Sequence, residues 1–164
     1  MAGARADWAK AAQSDPKLIW VHWYEATGEF VGGRFVKAAA GFDRVAAAEP
    51  GFVPAKLWRA IAHGRVGTAQ AIEDPESADW PAPALRYFRK EIDQAALLKV
   101  AGEDHVSGDS RRIAEAHFFL AQRALIDQDR AAARDHLRRA LAIPSPRHVW
   151  RIAAERDLKQ LDGR

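Results

Sequence analysis

The histidines are the side chains whose chemistry best suits metal binding or acid–base catalysis. There are six of them among 164 residues, and there is no cysteine, so thiolate ligands and thiol nucleophiles are excluded. No two histidines lie three or four residues apart, as a metal-binding pair on one helix requires. His117 and His136 could approach each other across a pair of packed helices. Packed or surface histidines explain the set equally well, so we predict no metal, cofactor or catalytic role for them.

The segment around His105 contains the residue types of a nucleophilic triad. Asp104 and His105 are followed by Ser107 and Ser110. These residues are predicted to lie in a polar loop, without the elbow motif that positions a catalytic serine. A glycine-rich phosphate loop of the Walker type is also missing from the sequence. We therefore predict a protein that is not an enzyme, and keep a small-molecule enzyme with an unrecognised site as a second alternative.

Three arginines, Arg130, Arg134 and Arg138, recur at four-residue spacing and share one face of a predicted helix. Guanidinium groups suit carboxylate or phosphate partners. Residues 111–164 carry 12 basic and 7 acidic side chains, net +5, in a chain whose net charge is +3. Binding of nucleic acid or another anionic partner by these helices is therefore the first alternative. We favour a solvated surface, balanced by carboxylates such as Asp135 and Glu155.

The elements that carry these side chains are predicted to be α-helices throughout. Hydrophobic residues make up 48% of the chain, and many are alanine, the best helix former. Apolar residues recur at three- and four-residue spacing between short loops, so we expect about seven or eight helices in antiparallel pairs. Residues 17–27 also fit a buried strand, but helical patterns flank them and we prefer a helix. The clearest helices are predicted at residues 34–48, 110–127, 130–142 and 147–161.

Glycine, proline and aspartate mark the predicted ends of several helices. Gly28 and the pair Gly32-Gly33 are expected to break the chain after residues 17–27. A short helix is expected at residues 5–13. Residues 68–82 are the least regular part, with a single helical turn at 69–72. Asp93 is predicted to cap a short helix that runs through Lys99.

Residues 114–143 carry small and large side chains at the spacing of a helix–turn–helix repeat: Leu120-Ala121, Asp129, Ala133, Leu137 and Ala140-Leu141. This segment resembles a tetratricopeptide repeat, a unit of about 34 residues. Small Ala121 and Ala133 allow two helices to cross closely. The segment departs from the family at Gln128, where glycine is usual, at Pro144, which comes one residue early, and at His117, which replaces an aromatic residue.

Weaker resemblances to the same family lie on either side of this repeat. Residues 18–50 resemble a second unit, and residues 53–67 resemble the first helix of a further one. Residues 114–155 resemble the last repeat of bacterial repeat proteins, including envelope lipoproteins. Residues 80–83 and 95–101 resemble the tryptophan-proline segment and short helix pair that precede that repeat. The lipid-attachment cysteine of the lipoproteins is absent, so anchoring does not carry over. The resemblance implies one domain over residues 1–164, a short α-solenoid that acts as a protein-binding adaptor.

The resemblance also implies a binding surface, because tetratricopeptide repeats bind peptides on a concave face lined by their first helices. By repeat position, the residues expected there are Trp23, Leu57, Ile61, Arg65, Phe118 and Gln122. Phe118 points about 100° away from Phe119 by helix geometry, which favours it as a contact for a neighbour or ligand. Filling of the core is the alternative role for Trp23, Leu57 and Phe118.

The predicted partner is another protein or peptide, and the predicted location is the cytoplasm. No run approaches the roughly 20 apolar residues that a membrane span needs. The first residues lack an apolar stretch of signal-peptide length. Homo-oligomerisation is compatible with a short array, because such arrays need capped ends.

Overall fold

The fold is all-α, which confirms the helical part of the fold class predicted from the sequence. The computed structural model describes residues 16–68, 70–103, 110–145 and 148–163, and these contain eight α-helices and no β-strand. The helix predicted at residues 5–13 lies outside the described residues. The helices are α1 (Pro16–Val31), α2 (Phe35–Ala48), α3 (Val53–Arg65), α4 (Ala82–Phe88), α5 (Gln94–Glu103), α6 (Arg111–Ile126), α7 (Arg130–Ala142) and α8 (Val149–Leu161).

The chain divides into two compact units, Met1–Ala82 and Pro83–Arg164. In the first unit, α1 packs against α2, and α2 packs against α3. In the second unit, α5 packs against α6, α6 packs against α7, and α8 packs against both α6 and α7. The consecutive helices α1 to α3 of the first unit and α5 to α8 of the second are therefore neighbours in space.

The aromatic segment at residues 17–27 lies inside the single helix α1. The helix prediction is confirmed there, and the strand alternative is wrong. Gly28 was expected to break the chain, but α1 continues through it to Val31. The turn follows at Gly32-Gly33, where Gly33 adopts a φ of 75°. Glycine reaches this left-handed conformation at little cost, so the helix ends where φ must become positive.

The core of the first unit is built from aromatic rings on three helices. Phe30 of α1 and Phe42 of α2 are completely buried, and Trp58 of α3 is nearly so. The ring of Trp58 lies edge-on to Phe30, with centroids 4.9 Å apart, and 6.0 Å from the ring of Phe42. Edge-on aromatic pairs add to the free energy gained by burying apolar surface. Trp58 therefore joins all three helices of this unit.

Helices α1 and α2 approach each other closely at Gly41. A Cβ atom on Gly41 would lie 2.7 Å from the Cβ of Ala26 and 3.2 Å from its Cα. Packed carbon atoms do not come this close, so the helices would have to separate to accept a side chain. The missing side chain of Gly41 thus permits the observed packing.

We expect Gly41→Ala to lower the free energy of unfolding by about 1–3 kcal/mol, even though alanine is the better helix former. Gly28 is the matched control, since it also lies inside a helix but an added Cβ would meet nothing within 4 Å. Gly28→Ala should raise the free energy of unfolding by about 0.5–1 kcal/mol. Urea denaturation followed by far-UV circular dichroism measures both, and effects of the same sign would contradict the close approach at Gly41.

Residues 70–81 form no helix, so the helical turn predicted at 69–72 is wrong for the described residues 70–72. This segment is held against α3 by charged side chains. The carboxylate of Glu73 lies 3.4 Å from Lys56 Nζ and 3.4 Å from Arg59 Nη2. Lys56 Nζ also donates to the carbonyl oxygen of Asp74 at 3.3 Å. Contacts with α3 thus position an irregular segment that has no periodic apolar pattern.

Aspartate side chains begin two helices of the second unit. The carboxylate of Asp93 accepts a hydrogen bond from the Ala96 amide at 2.8 Å, which confirms the predicted cap. Asp129 caps α7 in the same way, accepting from the Ala132 amide at 3.0 Å. These bonds satisfy amides that a helix start leaves without an internal acceptor. Helix α5 continues to Glu103, beyond the end predicted at Lys99.

Candidate functional site

Three large apolar side chains are exposed together on α1. Trp20 is 51% exposed, Val21 48% and Tyr24 66%. Trp20 and Tyr24 are four residues apart, and Val21 is three from Tyr24, so they occupy one side of the helix. We call these three residues the aromatic face of α1. Large exposed apolar groups in contiguous positions are typical of interaction surfaces.

The aromatic face rests on a packed aromatic layer. The ring of Trp20 lies edge-on to Phe52, with centroids 5.7 Å apart. Trp23, one helical turn further, contacts both Phe52 and Phe42, at 5.1 Å and 5.5 Å. Packing against Phe52 restricts the rotamers of Trp20, so less conformational entropy remains to be lost on binding.

A charged groove of about 540 Å³ lies between α1 and α2 beside the aromatic face. Its lining includes His22 and Glu25 from α1, and Lys37 and Arg44 from α2. A further acidic residue of the lining, Glu29, is ion-paired with Arg34 at the start of α2.

Two of the three predicted partner-binding residues on α3, Leu57 and Ile61, are placed in the core. Leu57 and Ile61 have no exposed surface. Their assignment to an exposed groove is corrected, because a side chain with no accessible surface contacts no partner in this conformation. The apolar stripe of α3 packs against α2 within the first unit. Filling of the core, the alternative for Leu57, is what the structure shows.

The two predicted partner-binding residues on α6 are also fully buried and need the same correction. The ring of Phe118 packs 6.2 Å from that of Trp150 on α8. The amide of Gln122 donates to the carboxylate of Asp157, also on α8, at 2.8 Å. The neighbour that Phe118 meets is therefore another helix of its own unit.

Trp23 and Arg65 are the two predicted contact residues that keep some exposed surface. Trp23 is half-buried in the aromatic layer beneath the aromatic face. The guanidinium of Arg65 lies 4.2 Å from the centre of the Phe35 ring, a cation–π contact between α3 and α2. Trp23 adjoins the aromatic face of α1, and Arg65 does not belong to it.

The predicted anion-binding arginines lie on α7, and two of them contact the end of α8. Arg134 donates from Nε to the carboxylate of Asp162 at 2.9 Å and from Nη2 to the Leu161 carbonyl oxygen at 2.6 Å. Arg138 Nη2 lies 3.6 Å from the same carboxylate. Arg130 is exposed at the start of α7. A cation near a helix C-terminus offsets its dipole, which accounts for Arg134 and Arg138 without an external anion.

His117 of α6 and His136 of α7 form a direct pair. Their Nδ1 atoms are 3.1 Å apart, the ring centroids are 5.3 Å apart and the ring planes differ by 29°, so the rings meet at their Nδ1 edges. Burial lowers the pKa of His117, and His136 and Arg139 lower it further. Burial also lowers the pKa of His136, against an opposing effect of Asp135. Both rings therefore favour the neutral form, in which one Nδ1–H donates to the other Nδ1.

The stability of the metal-free protein is expected to fall as the pH drops below the ordinary histidine pKa of 6.5. A lowered pKa in the folded state means that the unfolded chain takes up protons first, so acid favours unfolding. Asp135 and Arg139 face the pair, and their effects on the pKa of each ring oppose one another. Urea denaturation in chelator-containing buffer, between about pH 7.5 and about pH 5.5, measures this dependence. His117→Gln/His136→Gln should flatten it, and an unchanged slope would contradict the assignment.

A second histidine network, in the first unit, was not predicted. His63 Nε2 lies 3.1 Å from a carboxylate oxygen of Asp43, and His63 Nδ1 lies 2.8 Å from the hydroxyl oxygen of Thr68. The order of carboxylate, imidazole and hydroxyl is that of a catalytic triad. The amides of Gly67 and Thr68, however, donate to carbonyls at the end of α3, so they offer no oxyanion site. The network ties the end of α3 to α2. In the chain, His63 is 20 residues from Asp43 and 5 residues from Thr68. No local sequence motif indicates the contact with Asp43, so the network was not predicted.

The triad considered around His105 falls on residues 104–109, outside the described residues, and Ser110 is exposed at the start of α6. In the described part of the chain, no group of three or more histidine, aspartate or glutamate side chains is placed so that it could hold a metal ion. Among the described helices, none combines the length and the apolar character that a membrane span needs.

No protein-family model, curated protein or solved structure matches the chain.

Proposed function

We propose that this protein is a non-catalytic interaction module of the tetratricopeptide-like type, a short solenoid of helix pairs that binds a peptide segment of another protein. The observation that carries the proposal is the aromatic face of α1. Tryptophan and tyrosine are the side chains that most often dominate binding energy at interfaces. Two of them, each at least half exposed on successive turns of one helix, offer a partner a large apolar contact.

The charges beside the aromatic face favour a particular kind of segment. Val21, Glu25 and Gly28 lie in one row along α1, so the face is continuous with the groove between α1 and α2. Lys37 and Arg44 are exposed on the α2 side of that groove. An apolar anchor on the aromatic face would therefore place neighbouring acidic side chains near two cations. The proposed ligand is a peptide segment with an apolar anchor and flanking Asp or Glu.

The position of the face in the chain supports the same proposal. Helix α1 is the first helix of the weaker unit at residues 18–50. In the resembled family, the first helices line the peptide-binding face. The proposed contact residues Trp20, Val21 and Tyr24 replace the buried positions that the repeat pattern alone indicated.

Selection from a displayed random-peptide library tests this proposal without a known partner. We expect selected peptides to carry an aromatic or aliphatic anchor beside Asp or Glu. Their affinity for Trp20→Ser/Tyr24→Ser should fall by more than about tenfold, the effect of losing interface anchors. Lys37→Glu should weaken binding less, with the largest effect at low salt because exposed charges are screened.

Val100→Ser is the control, since Val100 is a 40% exposed apolar residue of the second unit. It should leave peptide affinity unchanged. The proposal fails if no peptide is enriched, or if enriched peptides bind the wild type and the Trp20/Tyr24 variant equally. Self-association abolished by Trp20→Ser/Tyr24→Ser, without peptide binding, would assign the face to a second copy of the chain instead.

A further inference from the structure

The His117–His136 pair brings two metal-ligating atoms together from different helices. His117 lies in α6 and His136 in α7, and the two Nδ1 atoms face each other at 3.1 Å. Each ring is held on a packed helix of the second unit, and the two helices contact each other along their lengths. The pair is thus a preformed arrangement of two nitrogen donors.

The separation of the two nitrogens suits one shared cation. Imidazole nitrogens bind zinc at about 2.0–2.1 Å, so a cation equidistant from atoms 3.1 Å apart would subtend an angle of about 100°. That angle lies between the square-planar and tetrahedral values that Cu²⁺ and Zn²⁺ adopt. Each N–metal bond would then lie roughly 40° off the line joining the two nitrogens, so both rings must turn to direct their lone pairs at the cation.

The surroundings favour the protonation state that metal binding needs, and they leave space beside one of the two rings. Only neutral imidazole binds a metal, and burial favours the neutral form of both rings. His136 borders a cavity of about 210 Å³ that is also lined by Tyr87, Asp127 and Asp129. With no cluster of three acidic or histidine ligands in the described residues, water would complete the coordination.

We infer that His117 and His136 form a two-histidine binding site for a late first-row divalent cation, with Cu²⁺ bound more tightly than Zn²⁺. The expected order follows the general affinity series for nitrogen ligands. The site is independent of the peptide binding proposed for α1. A bound cation joins α6 to α7, so it stabilises the second unit in proportion to its occupancy.

Isothermal titration of the metal-free protein with Cu²⁺, and separately with Zn²⁺, tests this inference at neutral pH. We expect one site per chain and a Tm that rises with cation concentration. His117→Gln and His136→Gln should each weaken binding by more than about tenfold, because one of two protein ligands is lost. His148→Gln is the control, as His148 is exposed at the start of α8, and it should bind like the wild type.

Circular dichroism establishes whether the variants are folded, and a measurement on the wild type does not depend on them. In NMR spectra, substoichiometric Cu²⁺ should broaden the imidazole signals of His117 and His136 before those of the other histidines. Equal affinity in all variants, preferential broadening of another histidine, or no binding at millimolar cation would each overturn the inference.

Discussion

Asp157→Ala should lower the free energy of unfolding by roughly 3–5 kcal/mol, the range for removing one partner of a buried ion pair. Asp157 lies on α8 and is only 1% exposed. One carboxylate oxygen accepts from Arg156 Nε at 3.0 Å and Nη2 at 2.6 Å, and the other accepts from the Gln122 amide at 2.8 Å. Alanine removes this shared acceptor from the interface between α6 and α8. The folded state then contains desolvated donors without an acceptor, which lowers the free energy of unfolding.

One further substitution at Asp157 separates the effect of its charge from that of its packing, and a substitution elsewhere on α8 serves as the control. Asp157→Asn keeps the size and one oxygen acceptor but removes the charge, so its loss should be smaller than that of Asp157→Ala. Glu155→Ala, at an exposed position of the same helix, should change stability by no more than about 0.5 kcal/mol. Urea denaturation of the intact chain ranks the three variants. If Asp157→Ala cost no more than Glu155→Ala, the buried network would not stabilise the second unit.

Trp58→Ala should destabilise the first unit by a similar amount, about 3–5 kcal/mol, the range for truncating a large buried aromatic side chain. The Trp58 ring contacts Phe30, Phe42 and Trp23, with centroid separations from 4.9 to 6.4 Å. Its removal leaves a cavity where α1, α2 and α3 meet. The surrounding rings sit on α1 and α2, and these packed helices cannot simply move inward to fill it.

Trp20→Ala is the matched control, because it removes the same side chain from an exposed position of the same unit. It gives up the edge contact with Phe52 and roughly half the buried surface that Trp58→Ala removes, so the expected loss is smaller, about 1–2 kcal/mol. Thermal unfolding by circular dichroism gives the comparison. Equal losses for the two tryptophans would contradict the division between a buried aromatic core and an exposed aromatic face. The peptide-binding experiment should show the opposite order, with Trp20 the more important residue.

The sequence by itself determined the helical class and many helix ends, because both depend on local interactions. Apolar residues at three- and four-residue spacing predicted α2 and α6. Asp93 and Asp129 start helices through their own carboxylates, within three residues along the chain. At Gly28, packing outweighs the low helix propensity of glycine. One glycine destabilises a helix by only about 1 kcal/mol, and the packing of α1 against α2 offsets that loss.

The tertiary structure decided which side chains are accessible and which distant residues meet. Phe118 and Gln122 have the spacing of an exposed first-helix face, but α8 covers them. Trp20 and Tyr24 look like core residues in the sequence, yet no described helix covers that side of α1. His117 and His136 are 19 residues apart, and their contact depends on the rotation of α6 and α7 about their axes. Helix rotation and neighbour choice result from the sum of all packing contacts, so a local pattern does not contain them.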